Sequence, residues 1–154
     1  LYVRIAKGGD KIITKKKEKI KFGKGRLIIK PKESLILSTG VMTQVAIKAA
    51  NIINKKKKNS CGVIHINTIK PFDDKILTKW SKKVKKIVTI EENLLEGGFG
   101  SLILETLNLH SPLDTKKVFR LGLKNKFIEH YGSQEELLKL NKLTEKEIIK
   151  ILNK

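Results

Sequence analysis

The sequence predicts an α/β fold in which helices cover both faces of a mostly parallel, five-stranded sheet. Three segments carry this prediction, because each ends an apolar strand and continues into turn residues that start a helix. They are residues 35–40 (LILSTG), residues 68–73 (TIKPFD), and residues 88–93 (VTIEEN) with the glycine-rich stretch 97–101 after them. In open α/β sheets, ligands bind at such strand ends. We therefore expect a functional site at these three segments.

Five apolar runs account for the predicted sheet. The three central ones lack the apolar–polar alternation of half-exposed strands, as is typical of parallel strands buried on both faces. The five strands are residues 26–30, 34–38, 62–67, 86–90 and 118–121. Because strands alternate with helices, consecutive strands are expected to run parallel or nearly so.

Five helices are expected between and after these strands. The first three begin in the turns that follow the second, third and fourth strands, with Asp73 as the N-cap of the second helix. The fourth begins at Ser133 and carries two glutamates in its first turn, which suits the helix dipole. The last begins at a capping box formed by Thr144 and Glu147.

The formal charge of +19 invites a nucleic-acid-binding interpretation, because basic surfaces release counterions from phosphates. Lysines, however, make up 31 of the 34 basic residues (34 − 3 arginines) and are spread over every helix and linker. Arginine is the residue favoured for bidentate recognition, and aromatic residues for stacking are few. We therefore favour a solvated lysine-rich surface, and a basic nucleic-acid-binding module stays open as an alternative.

The length of 154 residues is enough for about one domain. No apolar run reaches the roughly 18 residues of a membrane-spanning helix, and no signal peptide is apparent. Cys61 is the single cysteine, which fits a reducing, cytoplasmic compartment and a structural thiol. The chain begins with Leu1 inside an apparent strand, so we expect it to be the tail of a longer polypeptide.

No group of residues forms a self-sufficient catalytic constellation. The turn at Ser38, Thr39 and Gly40 is either a tight turn with an N-cap, which we favour, or a phosphate cradle. Glu91 and Glu92 close a strand, where paired carboxylates either do acid–base work or, more commonly, remain solvated or bind lysines. The glycines at 97–100 suit a ligand, a crossover or a subunit contact, and the three histidines share no metal-ligand spacing.

Taken in order, these segments resemble the C-terminal domain of the transketolase superfamily of thiamine-diphosphate enzymes. The superfamily includes transketolases, 1-deoxy-D-xylulose-5-phosphate synthases and the beta subunits of 2-oxo-acid dehydrogenases. The resemblance is carried by residues 35–40, 69–73, 88–93, 97–101, 120–123, 127–130 and 132–138. The last two stretches are most similar to the deoxyxylulose phosphate synthases. Two departures, Lys124-Asn125 in place of Pro-Asp and an extra residue at Tyr131, leave the exact substrate open.

The resemblance implies how the chain is divided into domains and what role each part has. Residues 1–10 would be the last strand of a preceding pyrimidine-binding domain, 11–25 a linker, and 26–154 the C-terminal domain. Thiamine diphosphate and Mg would bind mainly to upstream domains of the intact transferase, so this chain would hold no cofactor and no catalytic residue and would be inert alone. Its partners would be those upstream domains and a second copy in a homodimer, with no membrane contact.

One substrate contact is implied within the chain. Lys7 falls where the family places a basic residue that holds the acceptor's phosphate or carboxylate, and Arg4 lies on the same strand. Residues three apart on a strand point to opposite faces, so one of the two would face the substrate, and we favour Lys7. An ordinary linker lysine is the alternative. For the whole chain, a split-enzyme subunit such as a 2-oxo-acid dehydrogenase beta-like chain also stays open.

Overall fold

A computed structural model describes residues 2–3, 11–14, 16–58 and 60–153, and its sheet has five strands. These are β1 (Arg26–Ile29), β2 (Ser34–Ser38), β3 (Cys61–His65), β4 (Lys86–Leu94) and β5 (Val118–Leu123). They lie in the order β1-β3-β2-β4-β5. The pairs β2–β3, β2–β4 and β4–β5 are parallel, and β1 pairs antiparallel with β3, which confirms the mostly parallel five-stranded sheet.

Five α-helices accompany the sheet in the described part of the chain. They are α1 (Met42–Lys56), α2 (Asp74–Ser81), α3 (Phe99–His110), α4 (Gln134–Leu140) and α5 (Glu145–Asn153). A 3₁₀-helix over Pro112–Lys117, which the sequence did not suggest, joins α3 to β5.

The core lies in two layers on opposite faces of the sheet, because successive side chains of a strand point to opposite faces. In β2, Leu35 and Leu37 join the cluster that holds α2 and α3, with Trp80, Phe99 and Ile103. Ile36 joins the opposite cluster, which holds α1 and α5 through residues that include Met42, Ala46, Ala49 and Ile148. The predicted three-layer αβα architecture is therefore confirmed.

The helix starts follow the predicted signals in part. The Asp73 carboxylate accepts from the backbone N–H of Ile76 and caps α2. At α4, the Ser133 hydroxyl and the Glu136 carboxylate form a reciprocal capping box. At α1 the expected side-chain cap is wrong: the N-cap position is Val41, with no side-chain cap hydrogen bond.

Two strands are longer than predicted. β4 continues past Ile90 to Leu94, so Glu91 and Glu92 lie within the strand and not at its end. β5 continues past Leu121 to Leu123, alongside the extended part of β4, where Leu94 pairs with Leu123 after an irregularity in the register. The hydropathy of the sequence did not indicate this continuation of β4, because Glu91 and Glu92 are charged.

Strands β2 to β5 all end at one edge of the sheet, here called the carboxyl edge. From β2 the chain crosses to β3 on one side, whereas from β4 it crosses to β5 on the other side. The connections therefore diverge between β2 and β4. In open α/β sheets, such a divergence leaves a crevice at the carboxyl edge, and ligands commonly bind there.

Candidate functional site

A cleft of about 410 Å³ occupies the point where the connections diverge. One wall is the turn after β2, with Thr39 and Gly40, and the other is the end of β4, with Glu92 and Asn93. Phe99, at the start of α3, is also in the lining. Gly40 has φ of +52°, a conformation that glycine adopts without strain, and the turn predicted there is confirmed. The structure therefore brings the turn of the first motif and the carboxylate pair of the third to one place.

Glu91 faces the start of α3 from the buried side of this cleft. Its side chain is buried, and its two carboxylate oxygens accept from the backbone N–H groups of Phe99 (2.6 Å) and Gly100 (2.7 Å). The first N–H groups of a helix have no partner within the helix, and a negative charge is stabilised there by the helix dipole. Glu91 thus caps α3, with each of its carboxylate oxygens bound by one backbone N–H group.

The glycine-rich stretch is required by this cap. A Cβ on Gly98 would stand 2.1 Å from the backbone oxygen of Leu94 and 2.4 Å from a carboxylate oxygen of Glu91. A Cβ on Gly100 would stand 2.8 Å from both the Thr89 hydroxyl and the Arg120 side chain. Real Cβ atoms do not approach so closely, so Gly98 is required by the packing against Leu94 and Glu91, and Gly100 by the packing against Thr89 and Arg120.

Arg120, on β5, braces the same loop from the other side. One of its guanidinium nitrogens donates to the backbone oxygen of Leu95 and to the Ser101 hydroxyl, both at 3.0 Å. The Ser101 hydroxyl in turn donates to the same Leu95 oxygen at 2.9 Å. Sequence reasoning quoted Arg120 only as part of the resemblance and gave it no role. The signal available was its rarity, since Arg120 is one of three arginines in the chain.

A second polar group lies at the ends of β2 and β3. The Thr43 hydroxyl is 2.6 Å from the Nδ1 of His65 and accepts from the Ser38 hydroxyl at 3.0 Å. Burial lowers the pKa of His65, and the nearby Arg26 guanidinium lowers it further. All three side chains are buried, so this row of hydroxyls and imidazole joins strand ends to α1 and satisfies polar groups within the core.

Residues from the stretch predicted as a linker lie across the β3 side of the carboxyl edge. Glu18 forms a bidentate ion pair with Arg26, with the shorter contact at 2.6 Å. The backbone N–H of Gly23 donates to the Thr68 hydroxyl, and that of Gly25 donates to the Asp73 carboxylate, both at 3.1 Å. This side of the carboxyl edge is thereby covered, whereas the cleft between β2 and β4 stays open.

The predicted substrate contacts, Lys7 and Arg4, lie outside the described residues. Among the residues that are described, no three His, Cys, Asp or Glu side chains are placed to hold a metal ion. Burial raises the pKa of the Cys61 thiol to about 11, which agrees with a structural thiol. No described helix has the length and apolar character needed to cross a membrane.

Three polar side chains of the described carboxyl edge take part in holding the fold. The Glu91 carboxylate accepts from helix amides, the Arg120 guanidinium donates to the loop that it braces, and the Nδ1 of His65 contacts a buried hydroxyl.

Comparison with known proteins identifies the family. The model of the transketolase C-terminal domain family matches residues 23–148. The chain belongs to this family. The match begins within the predicted linker and continues to α5, and it therefore includes all five strands, the cleft and the α3 cap.

The relatives of this transketolase C-terminal domain include several 1-deoxy-D-xylulose-5-phosphate synthases. That of Clostridium perfringens strain 13 is 38% identical over 144 residues, which are 93% of this chain and 23% of the relative. That of Phocaeicola vulgatus is 31% identical over 137 residues, which are 88% of this chain and 21% of the relative. The chain thus spans less than a quarter of the length of these relatives.

Solved structures agree on the fold. A split-gene transketolase, in an inactive beta4 tetramer, superposes with a TM-score of 0.83 at 24% identity, over 94% of this chain and 46% of that one. The transketolase of Campylobacter jejuni superposes with a TM-score of 0.56 at 16% identity, over 86% of this chain and 19% of that one. The fold predicted from the resemblance is confirmed by these structures.

Proposed function

We propose that this chain works as the C-terminal domain of a thiamine-diphosphate-dependent transferase that moves a two-carbon or acyl unit. The observation that carries the proposal is the family match over residues 23–148, together with relatives that are 1-deoxy-D-xylulose-5-phosphate synthases. Formation of 1-deoxy-D-xylulose 5-phosphate is accordingly the first activity to test, and two-carbon exchange of the transketolase type is the second.

In this proposal the domain is a scaffold that packs against the catalytic parts of the enzyme and is inert alone. The contacts of Glu91, Arg120 and His65 support this role, because each of the three side chains makes hydrogen bonds within the fold. Thiamine diphosphate and Mg would bind mainly outside this chain. Its partners would be the upstream cofactor-binding domains and a second copy in a homodimer.

The compartment proposed is the cytoplasm, which the single buried cysteine supports. Nucleic acid is not among the proposed partners. The lysines are dispersed, and several of them are engaged within the fold: Lys48 pairs with Glu145, and Lys117 donates to two backbone oxygens. A dispersed lysine surface favours solubility over a defined binding track.

The experiment compares this chain with the complete enzyme of which we propose it to be a part. We expect the complete enzyme to form 1-deoxy-D-xylulose 5-phosphate, or to exchange two-carbon units, only when thiamine diphosphate and Mg²⁺ are supplied. We expect this chain to show neither activity under the same conditions. Turnover by this chain alone, or cofactor-independent turnover by the complete enzyme, would contradict the proposal.

We further propose that Lys7 holds the anionic group of the acceptor substrate, with Arg4 on the opposite face of the same strand. The support is the resemblance, which places a basic residue at position 7. A lysine there provides the charge but not the bidentate geometry of an arginine, so phosphate would be held by one or two charge-assisted hydrogen bonds.

In the complete enzyme, we expect Lys7→Ala to raise the KM of the acceptor about tenfold or more, because one charge-assisted contact is lost. The Kd of thiamine diphosphate should stay within about twofold of the unmodified enzyme. Lys11→Ala, which removes an exposed lysine four residues further on, is the matched control and should leave both values unchanged. Equal losses of acceptor and cofactor affinity in Lys7→Ala would show that Lys7 has another role.

A further inference from the structure

Large apolar side chains are exposed along the carboxyl edge. Phe127 is 94% exposed, Phe22 is 79% exposed and Tyr131 is fully exposed, so three of the eight aromatic residues of the chain lie in solvent there. Ile128 is about half exposed beside Phe127. We call Phe22, Phe127, Ile128 and Tyr131 the carboxyl-edge patch.

Hydrogen bonds place these residues at the same edge. Phe22 precedes Gly23, whose backbone N–H is bound by Thr68 just after β3. Phe127, Ile128 and Tyr131 lie in residues 124–133, between the end of β5 and the start of α4. The first residue of α4, Gln134, donates to Glu92 near the end of β4 at 3.1 Å. Residues 124–133 therefore leave the carboxyl edge and return to it.

Residues 124–133 bury little of their apolar surface on their own domain. Phe127 and Ile128 border a hollow of only about 110 Å³, beside the half-exposed Leu140. Leaving such large apolar side chains in solvent is unfavourable, because the free energy gained by burial rises with the apolar area removed from water. Exposed apolar groups of this kind mark interaction surfaces, and phenylalanine and tyrosine are enriched at the cores of interfaces.

Residue 11, where the second described stretch of the chain begins, lies at the edge that carries the patch. The backbone oxygen of Lys11 accepts from the side-chain amide of Gln44, in the first turn of α1 at the carboxyl edge. Any part of a longer protein that precedes this chain would be joined to residue 11 through residues 1–10, and a short tether gives a high effective concentration near the patch. The curated relatives extend far beyond the matched segment, since that segment is 23% of the Clostridium perfringens protein. A second copy of this chain is the less favoured occupant, because it would bring another net charge of +19.

We propose that the carboxyl-edge patch is the surface on which the preceding, cofactor-binding part of the same polypeptide docks. The inference rests on the proposed function, because it takes the complete enzyme to carry such a part before residue 11. It adds the residues of the contact: Phe127 and Tyr131 would be the aromatic anchors from residues 124–133, and Phe22 the anchor from the segment across β3.

Hydroxyl-radical footprinting of the complete enzyme, read by peptide mass spectrometry, tests this contact. Labelling rates of Phe127 and Tyr131 are compared between the native enzyme and the same enzyme unfolded in urea. Leu109 and Leu113, which are 78% and 83% exposed near the opposite edge, are internal controls. We expect Phe127 and Tyr131 to be labelled about fivefold or more slowly in the native enzyme, and the two leucines to be slowed by less than about twofold.

Three other labelling results would each support or contradict the proposed contact. Native labelling of Phe127 and Tyr131 near the unfolded rate would overturn the proposal, even in an enzyme with full thiamine-diphosphate-dependent activity. Protection that disappears when the enzyme is diluted to monomers would assign the patch to a second copy and overturn the occupant proposed here. Protection that persists in a monomer without thiamine-diphosphate-dependent activity would support the contact and contradict the proposed function.

Discussion

Glu91 illustrates how a carboxylate at the ligand-binding edge of an α/β sheet can have a purely architectural role. Its exposed neighbour Glu92 points toward the start of α4, whereas Glu91 itself is buried against α3. Burial of an ionised carboxylate is costly unless it is compensated by hydrogen bonds. Two short bonds from the N–H groups of Phe99 and Gly100, at the positive end of the α3 dipole, supply that compensation.

We expect Glu91→Ala to lower the free energy of unfolding by about 3 kcal/mol, because two charge-assisted hydrogen bonds are lost and two buried amides are left without partners. Urea unfolding of this chain, followed by circular dichroism, measures the change. Glu92→Ala is the matched control and should change stability by less than about 0.5 kcal/mol, since Glu92 is exposed. Equal stability of the two variants would show that the cap does not hold α3.

At the scale of secondary-structure elements, Asp73 also has an architectural role, because its carboxylate contacts three segments of the chain. Its carboxylate caps α2 through Ile76 and accepts from the backbone N–H of Gly25, and the Lys24 ammonium lies 3.8 Å away. The entry of the chain into β1 and the start of α2 are thus fixed by one side chain. The last part of the stretch predicted as a linker is consequently attached to the domain.

We expect Asp73→Ala to destabilise the domain by about 1–2 kcal/mol, the usual value of a lost N-cap, and to speed amide hydrogen exchange at Gly25. Exchange measured by NMR reports both effects. Asp74→Ala, one residue further on, removes an exposed carboxylate whose partner is His110 and should leave Gly25 exchange unchanged. If Gly25 exchanged at the same rate in both variants, the attachment of this segment would have to depend on other contacts.

The elements also show what could be predicted from the sequence. Strands β2 and β3 were predictable because they are continuous apolar runs, and Asp73 and Ser133 were recognisable because capping is a local signal. The extension of β4 through Glu91-Glu92 was not, because the charge of the buried Glu91 is compensated by contacts eight and nine positions away. The bracing of the glycine loop by Arg120 depends on β5 lying next to β4, which no local pattern states.

At the scale of the whole molecule, Glu91, Arg120 and His65 at the described carboxyl edge help to hold the fold. The cleft is where an α/β protein would bind a ligand, yet its buried carboxylate is committed to α3. In the function proposed above, a domain of this kind contributes position and surface to an enzyme whose chemistry is carried by its other parts. This conclusion agrees with membership of the transketolase C-terminal domain family, and it is the central claim to be tested.

The most direct test is a chimera in which residues 23–148 replace the matching segment of the 1-deoxy-D-xylulose-5-phosphate synthase of Clostridium perfringens. If this domain is a scaffold, the chimera should form 1-deoxy-D-xylulose 5-phosphate in a thiamine-diphosphate-dependent reaction, with kcat within about tenfold of the parent. The same chimera with Glu91→Ala should lose thermal stability before it loses kcat. A folded chimera that binds thiamine diphosphate as the parent does but forms no product would contradict the account, because this segment would then have to supply catalytic groups of its own.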